Sequence, residues 1–288
     1  MKVNQHQALH TRKVLLVPYS EHHVPTYHAW MQDAELQAAT ASEPLTIEEE
    51  YAMQRSWRED RDKLTFIVCQ PLETQRERVR VGIDDAPDRM IGDVNLFLSQ
   101  PDDDNDDNDD KVNDDHGSTR PSETSRDAGV VGELELMIAR KSHHRQGYGR
   151  AALLTLMGYI LFHWPSIYLE YTGGQHCTPW PPAQQSSSHS NPKSAKDLPA
   201  IIPPAQKRPE LRYLGARIQE CNTGSLALFE GVGFKRTAQG ANYFGEVELR
   251  WQDDGGFLRR LKDLEWMRSG TWEAGMVPYE ADADCARA

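Results

Sequence analysis

The sequence predicts one α/β domain, and three observations carry that prediction. Segments with strand-like alternation interleave with segments of helical periodicity along most of the 288 residues. One stretch, residues 131–157 (VGELELMIARKSHHRQGYGRAALLTLM), passes from a half-buried strand through a basic, glycine-containing turn into an apolar helix. Two other stretches hold too little apolar surface to join a core. Setting them aside leaves roughly 180–200 residues, ample for a self-sufficient core.

Taken in order, KVLLV predicts a strand at 13–17, and a helix follows at 20–32 in which Tyr27, Trp30 and Met31 share a core-facing side. Thr46-Ile47-Glu48-Glu49 is a capping box that starts a helix over 46–60. KLTFIVCQ and the segment around Asp93-Val94-Asn95 predict strands at 63–70 and 89–98, with Trp57, Phe66 and Phe97 in the core. In the strand at 131–139, Glu133 and Glu135 take one face while Leu134, Leu136 and Ile138 take the other. A helix is predicted at 147–162, a strand at 213–220, and a helix at 223–231 capped by Asn222 and stopped at Gly233. Strands at 234–239 and 243–251 complete seven strands and four helices. The domain is expected to span 1–255, with 256–288 a tail left unassigned because Trp266, Trp272 and Tyr279 follow no period.

Residues 99–130 include nine Asp in the run PDDDNDDNDDKVNDD, and 172–210 are rich in Pro, Ser, Gln and Asn; both are expected to be disordered insertions. The formal net charge is −12, but 99–130 alone hold eleven acidic against three basic residues. The remaining fold is only mildly acidic, which disfavours a nucleic-acid partner. Cys69, Cys177, Cys221 and Cys285 are far apart without CxxC spacing, as expected of a reducing compartment. With no apolar leader and no run of 18 apolar residues, a soluble cytoplasmic protein without a membrane partner is expected; its oligomeric state is not legible. The pairs His22-His23 and His143-His144 have no companion carboxylate or cysteine at ligand spacing, so no metal is expected.

The turn His144-Arg145-Gln146-Gly147-Tyr148-Gly149-Arg150 carries the chemistry. A strand feeding such a turn leaves several backbone N–H groups aimed into one concavity at the positive end of a helix, which suits a pyrophosphate. The dinucleotide fingerprint lacks its third glycine here, and the P-loop lacks its Lys-Ser or Lys-Thr.

What remains resembles the [RQ]-x-x-G-x-[GA] signature of the GCN5-related N-acetyltransferases (GNAT), with Gly147 and Gly149 matching and His144 in the leading position. A second block, N-x-x-[SA]-x-x-[LF]-[FY]-x-x-x-G-F, is matched by Asn222, Ser225, Leu228, Phe229, Gly233 and Phe234. Residues 13–31, 40–57, 63–70, 90–98 and 243–251 are similar to the N-acetyltransferase 9-like group within that superfamily. The resemblance implies a mixed, mostly antiparallel sheet with helices on both sides. It also implies acetyl transfer from acetyl-CoA, as co-substrate, to an amine on a protein or peptide. Backbone of Met137, Ile138 and Ala139 would line the pantetheine arm, Arg145 and Arg150 would add charge at the pyrophosphate, and Asn222, Ser225 and Phe229 would contact the coenzyme. Glu133 or Glu135 is the expected base, because each leaves the strand that ends at the coenzyme, and two like charges on one face raise each other's pKa. Phe229 departs from the Tyr that many relatives use as an acid, and Phe donates no proton. A small-amine acceptor, or a weakly active fold that binds a cytoskeletal partner, are the alternatives.

Overall fold

The computed structural model describes residues 1–74, 77–101, 129–174, 211–252 and 276–280. The strands are β1 (Gln7–His10), β2 (Leu15–Pro18), β3 (Lys63–Cys69), β4 (Val79–Arg80), β5 (Met90–Ser99), β6 (Val130–Ile138), β7 (Leu211–Gln219), β8 (Lys235–Ala241), β9 (Glu246–Trp251) and β10 (Met276–Glu280). The helices are α1 (Val24–Trp30), α2 (Ala34–Thr40), α3 (Ile47–Glu59), α4 (Tyr148–Tyr171) and α5 (Thr223–Val232). All ten strands join one sheet in the order β4-β10-β1-β2-β3-β5-β6-β7-β9-β8. Only β10–β4 and β6–β7 pair in parallel, so the sheet is mixed and mostly antiparallel, as expected.

The pleat sorts side chains into two layers. Leu64, Phe66, Val68, Val94, Leu96, Leu134, Leu214, Ala216 and Leu249 point toward α4 and α5 and form the larger core. Each fully buried Leu or Phe there contributes about 2 kcal/mol. The opposite face carries Leu15, Val17, Ile67, Cys69 and Met137, covered by α1–α3 through Val24, Tyr27, Trp30, Tyr51 and Trp57. α4 is 24 residues long and, by length and composition, apolar enough to cross a membrane, yet most of that surface is buried. Phe66 stands edge-on to Tyr159 of α4 with ring centroids 5.4 Å apart.

The capping box of α3 forms as expected: the Glu49 N–H donates to the Thr46 hydroxyl, and the Thr46 N–H donates to the Glu49 carboxylate. Three strands and one helix exceed the sequence expectation. β1, β4 and β10 are 4, 2 and 5 residues long, too short for an alternation to register. β10 comes from the segment expected to be an unassigned tail, and it pairs with both β1 and β4. α2 is a seven-residue helix started by Asp33, whose side chain accepts the Glu35 N–H. The helix expected at 20–32 is a 3-10 turn at Glu21–His23 followed by α1, and α4 continues nine residues past its expected end, through Pro165. Of the two insertions, 102–128 and 175–210 lie outside the described residues, whereas Ser99 and Val130 belong to β5 and β6.

Candidate active site

The site is set by where two strands part. β6 and β7 are registered from Val130–Leu211 to Glu133–Gly215 and no further, while β7 continues alongside β9 to Gln219–Glu246. Beyond Glu133 the two parallel strands leave a gap, with Glu135 on β6 at its entrance. On the far side of β6 the ladder with β5 is complete, from Gly92–Ile138 to Ser99–Val131. The Ala139 N–H donates to Ile91 O at 2.8 Å on that side, so alternation turns the Ile138 peptide groups toward the gap. One of them is already engaged, since His144 Nε2 donates to Ile138 O at 2.7 Å. His144 therefore shapes the turn from within.

The turn then feeds α4. Arg145 has φ +58° and Gly147 has φ +84°, a left-handed pair that lets the chain reverse into the helix. No side chain caps α4, so the N–H groups of its first turn, Tyr148, Gly149 and Arg150, have no intrahelical partner. Gly149 sits tight against the sheet: a Cβ there would lie 3.3 Å from both Leu136 Cδ2 and Leu228 Cδ2. Donors at a helix N-terminus, approached through glycines, are the set a pyrophosphate requires. These residues fit coenzyme A on main-chain grounds.

The side chains of the turn divide differently from expectation. Arg150 donates Nη1 to Gly231 O at 2.8 Å, closing the last turn of α5, so its guanidinium is engaged. Arg145 is exposed and makes no contact of this kind among the described residues. Gln146 donates to the Ser142 carbonyl within the turn. A cation missed in the sequence lies nearby: Lys13 Nζ sits 4.4 Å from the Tyr148 ring centroid, and Lys13 Cε would lie 3.9 Å from a Cβ on Gly147. Lys13 precedes β2, and only the sheet order brings it there.

Asn222 serves as expected as a helix cap, accepting the Ser225 N–H on Oδ1 at 3.1 Å. That contact occupies the side-chain oxygen and the Ser225 amide together. Phe229 is 3% exposed and packs edge-on to Phe234 at 5.0 Å, inside the core. Its position on α5 faces the sheet, so it supports the helix without offering a contact surface in the gap.

The two candidate bases are unlike each other. Glu133 accepts from Arg217 Nη1 at 2.9 Å and stands on the last rung shared by β6 and β7. Partial burial raises its pKa while the Arg217 charge draws it down. Glu135 makes no hydrogen bond or ion pair among the described residues. It is exposed at the gap, and the partial loss of water around its carboxyl, with the charges of Asp93, Glu133 and Glu246, pushes it up to about 7.

Asp93 and Asn95, on β5, share this face beside Glu135. Asn95 Nδ2 donates to Asp93 Oδ2 at 2.8 Å, and the Tyr27 hydroxyl makes a longer 3.4 Å contact to the same atom. Burial pushes Asp93 up to about 6 against those two donors.

The histidine pair His22-His23 does acquire a carboxylate. Asp85 Oδ2 accepts from His22 Nε2 at 3.0 Å, His23 Nε2 at 2.9 Å and the Tyr279 hydroxyl at 2.6 Å. His23 Nδ1 accepts the Ser20 N–H, so its Nε2 carries the proton and is not free to ligate a metal. Burial opposes the charge on Asp85, but these donors outweigh it and hold the carboxyl well below its usual range. The cluster is a hydrogen-bonded clasp tying β10 to the start of α1, and sequence spacing gave no sign of Asp85.

A family model described as an acetyltransferase (GNAT) domain matches residues 13–235. The chain belongs to the GNAT acetyltransferases. Among relatives of this GNAT chain is the N-acetyltransferase 9-like protein of Schizosaccharomyces pombe, 42% identical over 165 residues that cover 56% of this chain and 75% of that protein. The alpha/beta-tubulin-N-acetyltransferase 9 of Homo sapiens is 41% identical over 160 residues, covering 55% of this chain and 63% of that protein. The chain therefore spans less than two thirds of the human protein. A solved structure, the GNAT-family acetyltransferase of Bacillus anthracis, superposes with a TM-score of 0.47 at 10% identity, covering 85% of this chain and 97% of that one.

Proposed function

We propose that this chain transfers acetyl from acetyl-CoA to an amine on a protein, with Glu135 as the general base. The observation that carries the assignment is position: Glu135 is the first carboxylate on β6 past the last rung with β7, and it has no hydrogen-bond or ion-pair partner among the described residues. Acetyl-CoA supplies an acyl group activated as a thioester. The chain's part begins with the amides of Gly147–Arg150, which bind the pyrophosphate at the positive end of α4, with Arg145 and Lys13 adding charge. The Ile138 N–H, turned into the gap, orients the pantetheine arm. Glu135 then takes a proton from the incoming ammonium, directly or through one water, so that the nitrogen lone pair is free to attack.

A protein acceptor is supported by the names of the human, mouse and fruit-fly relatives, each called an alpha/beta-tubulin N-acetyltransferase. It is also supported by the uncovered polar face of β6, β7 and β9, where Glu135, Arg217, Glu246 and Glu248 form an open floor and no helix among the described residues lies over it. A cytoplasmic setting accompanies this reading.

The test is acetyl-CoA turnover against a peptide library, with spermidine alongside. Glu135→Gln lowers kcat/KM by about 100-fold or more, whereas Glu133→Gln lowers it by less than about fivefold. Full activity in Glu135→Gln, or acetylation of spermidine alone, overturns the proposal. Activity rises with pH through about 7 as Glu135 loses its proton.

A further inference from the structure

We infer that Asp93 is a positioning residue for this reaction: it lies behind Glu135 as the second half of a carboxylate pair that holds one proton between them. The inference rests on Glu135 being the base. The register places Asp93 opposite Met137 and Asn95 opposite Glu135, so Asp93 and Glu135 are diagonal neighbours on one face of an antiparallel pair. Such neighbours lie about 7–8 Å apart, within electrostatic reach, with Asp93 buried and Glu135 exposed at the gap.

The second observation is a set of buried oxygens without partners. Asp93 is 2% exposed and Asn95 3%, yet Asp93 Oδ1 and Asn95 Oδ1 receive no hydrogen bond from the described residues. A buried carboxylate left half-satisfied is costly when charged and far less so when protonated. The surroundings do not relieve it. Within electrostatic range of Asp93 are Tyr27 of α1, Tyr19 of the β2–α1 connection and Glu135 of β6; around those groups in turn lie Glu50 of α3, Glu133 of β6, Glu246 of β9 and, beside Glu133, Arg217 of β7. Thr65 is the β3 residue opposite Asn95 and carries no charge. Arg217 is the one cation of that set, and it is paired with Glu133. Burial keeps both tyrosines protonated, so neither adds a charge; Tyr27 donates to Asp93, while the Tyr19 hydroxyl has no hydrogen-bond partner among the described residues.

Two carboxyls so placed titrate together, and their steps belong to the pair. With Asp93 ionised, Glu135 binds a proton more tightly and is the stronger base. The N–H bond of the ammonium breaks, its proton goes to a Glu135 oxygen, and the electron pair stays on nitrogen. Asp93 sets how strongly Glu135 draws that proton and touches no substrate itself.

The test is the pH profile of kcat/KM for Asp93→Asn, an isosteric change that keeps an oxygen for Asn95 and Tyr27 to donate to. The acid limb moves down by about one pH unit and the plateau falls about tenfold. A merely structural role would lower activity at every pH and leave the limb in place, and that result overturns the inference. Glu135→Gln, run in parallel, separates the two ideas. If it keeps full activity, the base assignment itself fails; if it is inactive while the Asp93→Asn limb is unmoved, only the role of Asp93 fails. Should Asp93→Asn not fold, carboxyl carbon NMR of the wild-type chain decides: a two-step titration at Glu135 mirrored at Asp93 supports the pair, and two independent single steps refute it.

Discussion

The two sides of β6 do their work with different parts of the chain. Toward α4 the site is made of main chain: Arg145 and Gly147 at positive φ, the uncapped first turn, and Gly149 pressed between Leu136 and Leu228. Its polar side chains are partly committed elsewhere, Arg150 to Gly231 and His144 to Ile138. Toward α1–α3 the site is made of side chains, Glu135, Asp93, Asn95 and Tyr27, which meet only because β5 and β6 pair in one register. A main-chain site depends on small residues at fixed spacing; a side-chain site depends on long-range pairing and on how little water reaches it.

That contrast can be broken where the two sides touch. Gly92 opposes Ile138, and a Cβ on it would fall 1.9 Å from Met137 O, a backbone atom that cannot step aside. Gly92→Ala is expected to cost about 3 kcal/mol of stability, read by chemical denaturation; a loss under about 1 kcal/mol would mean the strand end is not held as described.

The side-chain half should show itself in stability against pH. Asp93 has a folded pKa of about 6, above the ordinary value of 3.8, so the folded chain binds more protons than the unfolded one between those values. Its contribution is therefore present at low pH and lost as pH rises through about 6. Asp93→Asn is expected to gain about 2 kcal/mol relative to wild type at pH 8 and much less at pH 4. Denaturation at the two pH values checks it, and an equal effect at both would place the carboxyl in water.

The main-chain half responds to bulk. Gly149→Val pushes the first turn of α4 off β6 and weakens acetyl-CoA binding about tenfold, with far less effect on unfolding. Calorimetry that finds unchanged affinity would remove that turn from the coenzyme site. The smallest effect belongs to Arg217→Met, which frees Glu133 from a half-exposed ion pair and changes kcat/KM by less than about threefold. A large loss there would return Glu133 to candidacy.

Legibility from sequence followed the same division. The strand, turn and helix over 131–162, the Thr46 capping box and the Asn222 cap were readable because each is decided by residues within a few positions. The α/β class followed from interleaved strand and helix periodicities, and the mixed sheet from resemblance to the GNAT family. Short β1, β4 and β10 were not readable, since their pairing is fixed by partners up to 271 positions away, as Gln7 is by Pro278. Lys13 beside Tyr148, Asp85 between two histidines, and the burial of Asp93 are likewise products of topology. The packing of Phe229 was hidden for a related reason: the motif gives its residue type, while its direction depends on Phe234 and the core beneath α5.

The central claim is that coenzyme and base meet at the gap where β6 leaves β7. A crystal structure of the chain with coenzyme A tests it most directly. The account predicts pyrophosphate oxygens within hydrogen-bond distance of the Gly149 and Arg150 amides and the thiol inside the gap on the side of Glu135. Coenzyme A bound away from the α4 N-terminus, or its thiol emerging beyond reach of Glu135, would contradict it.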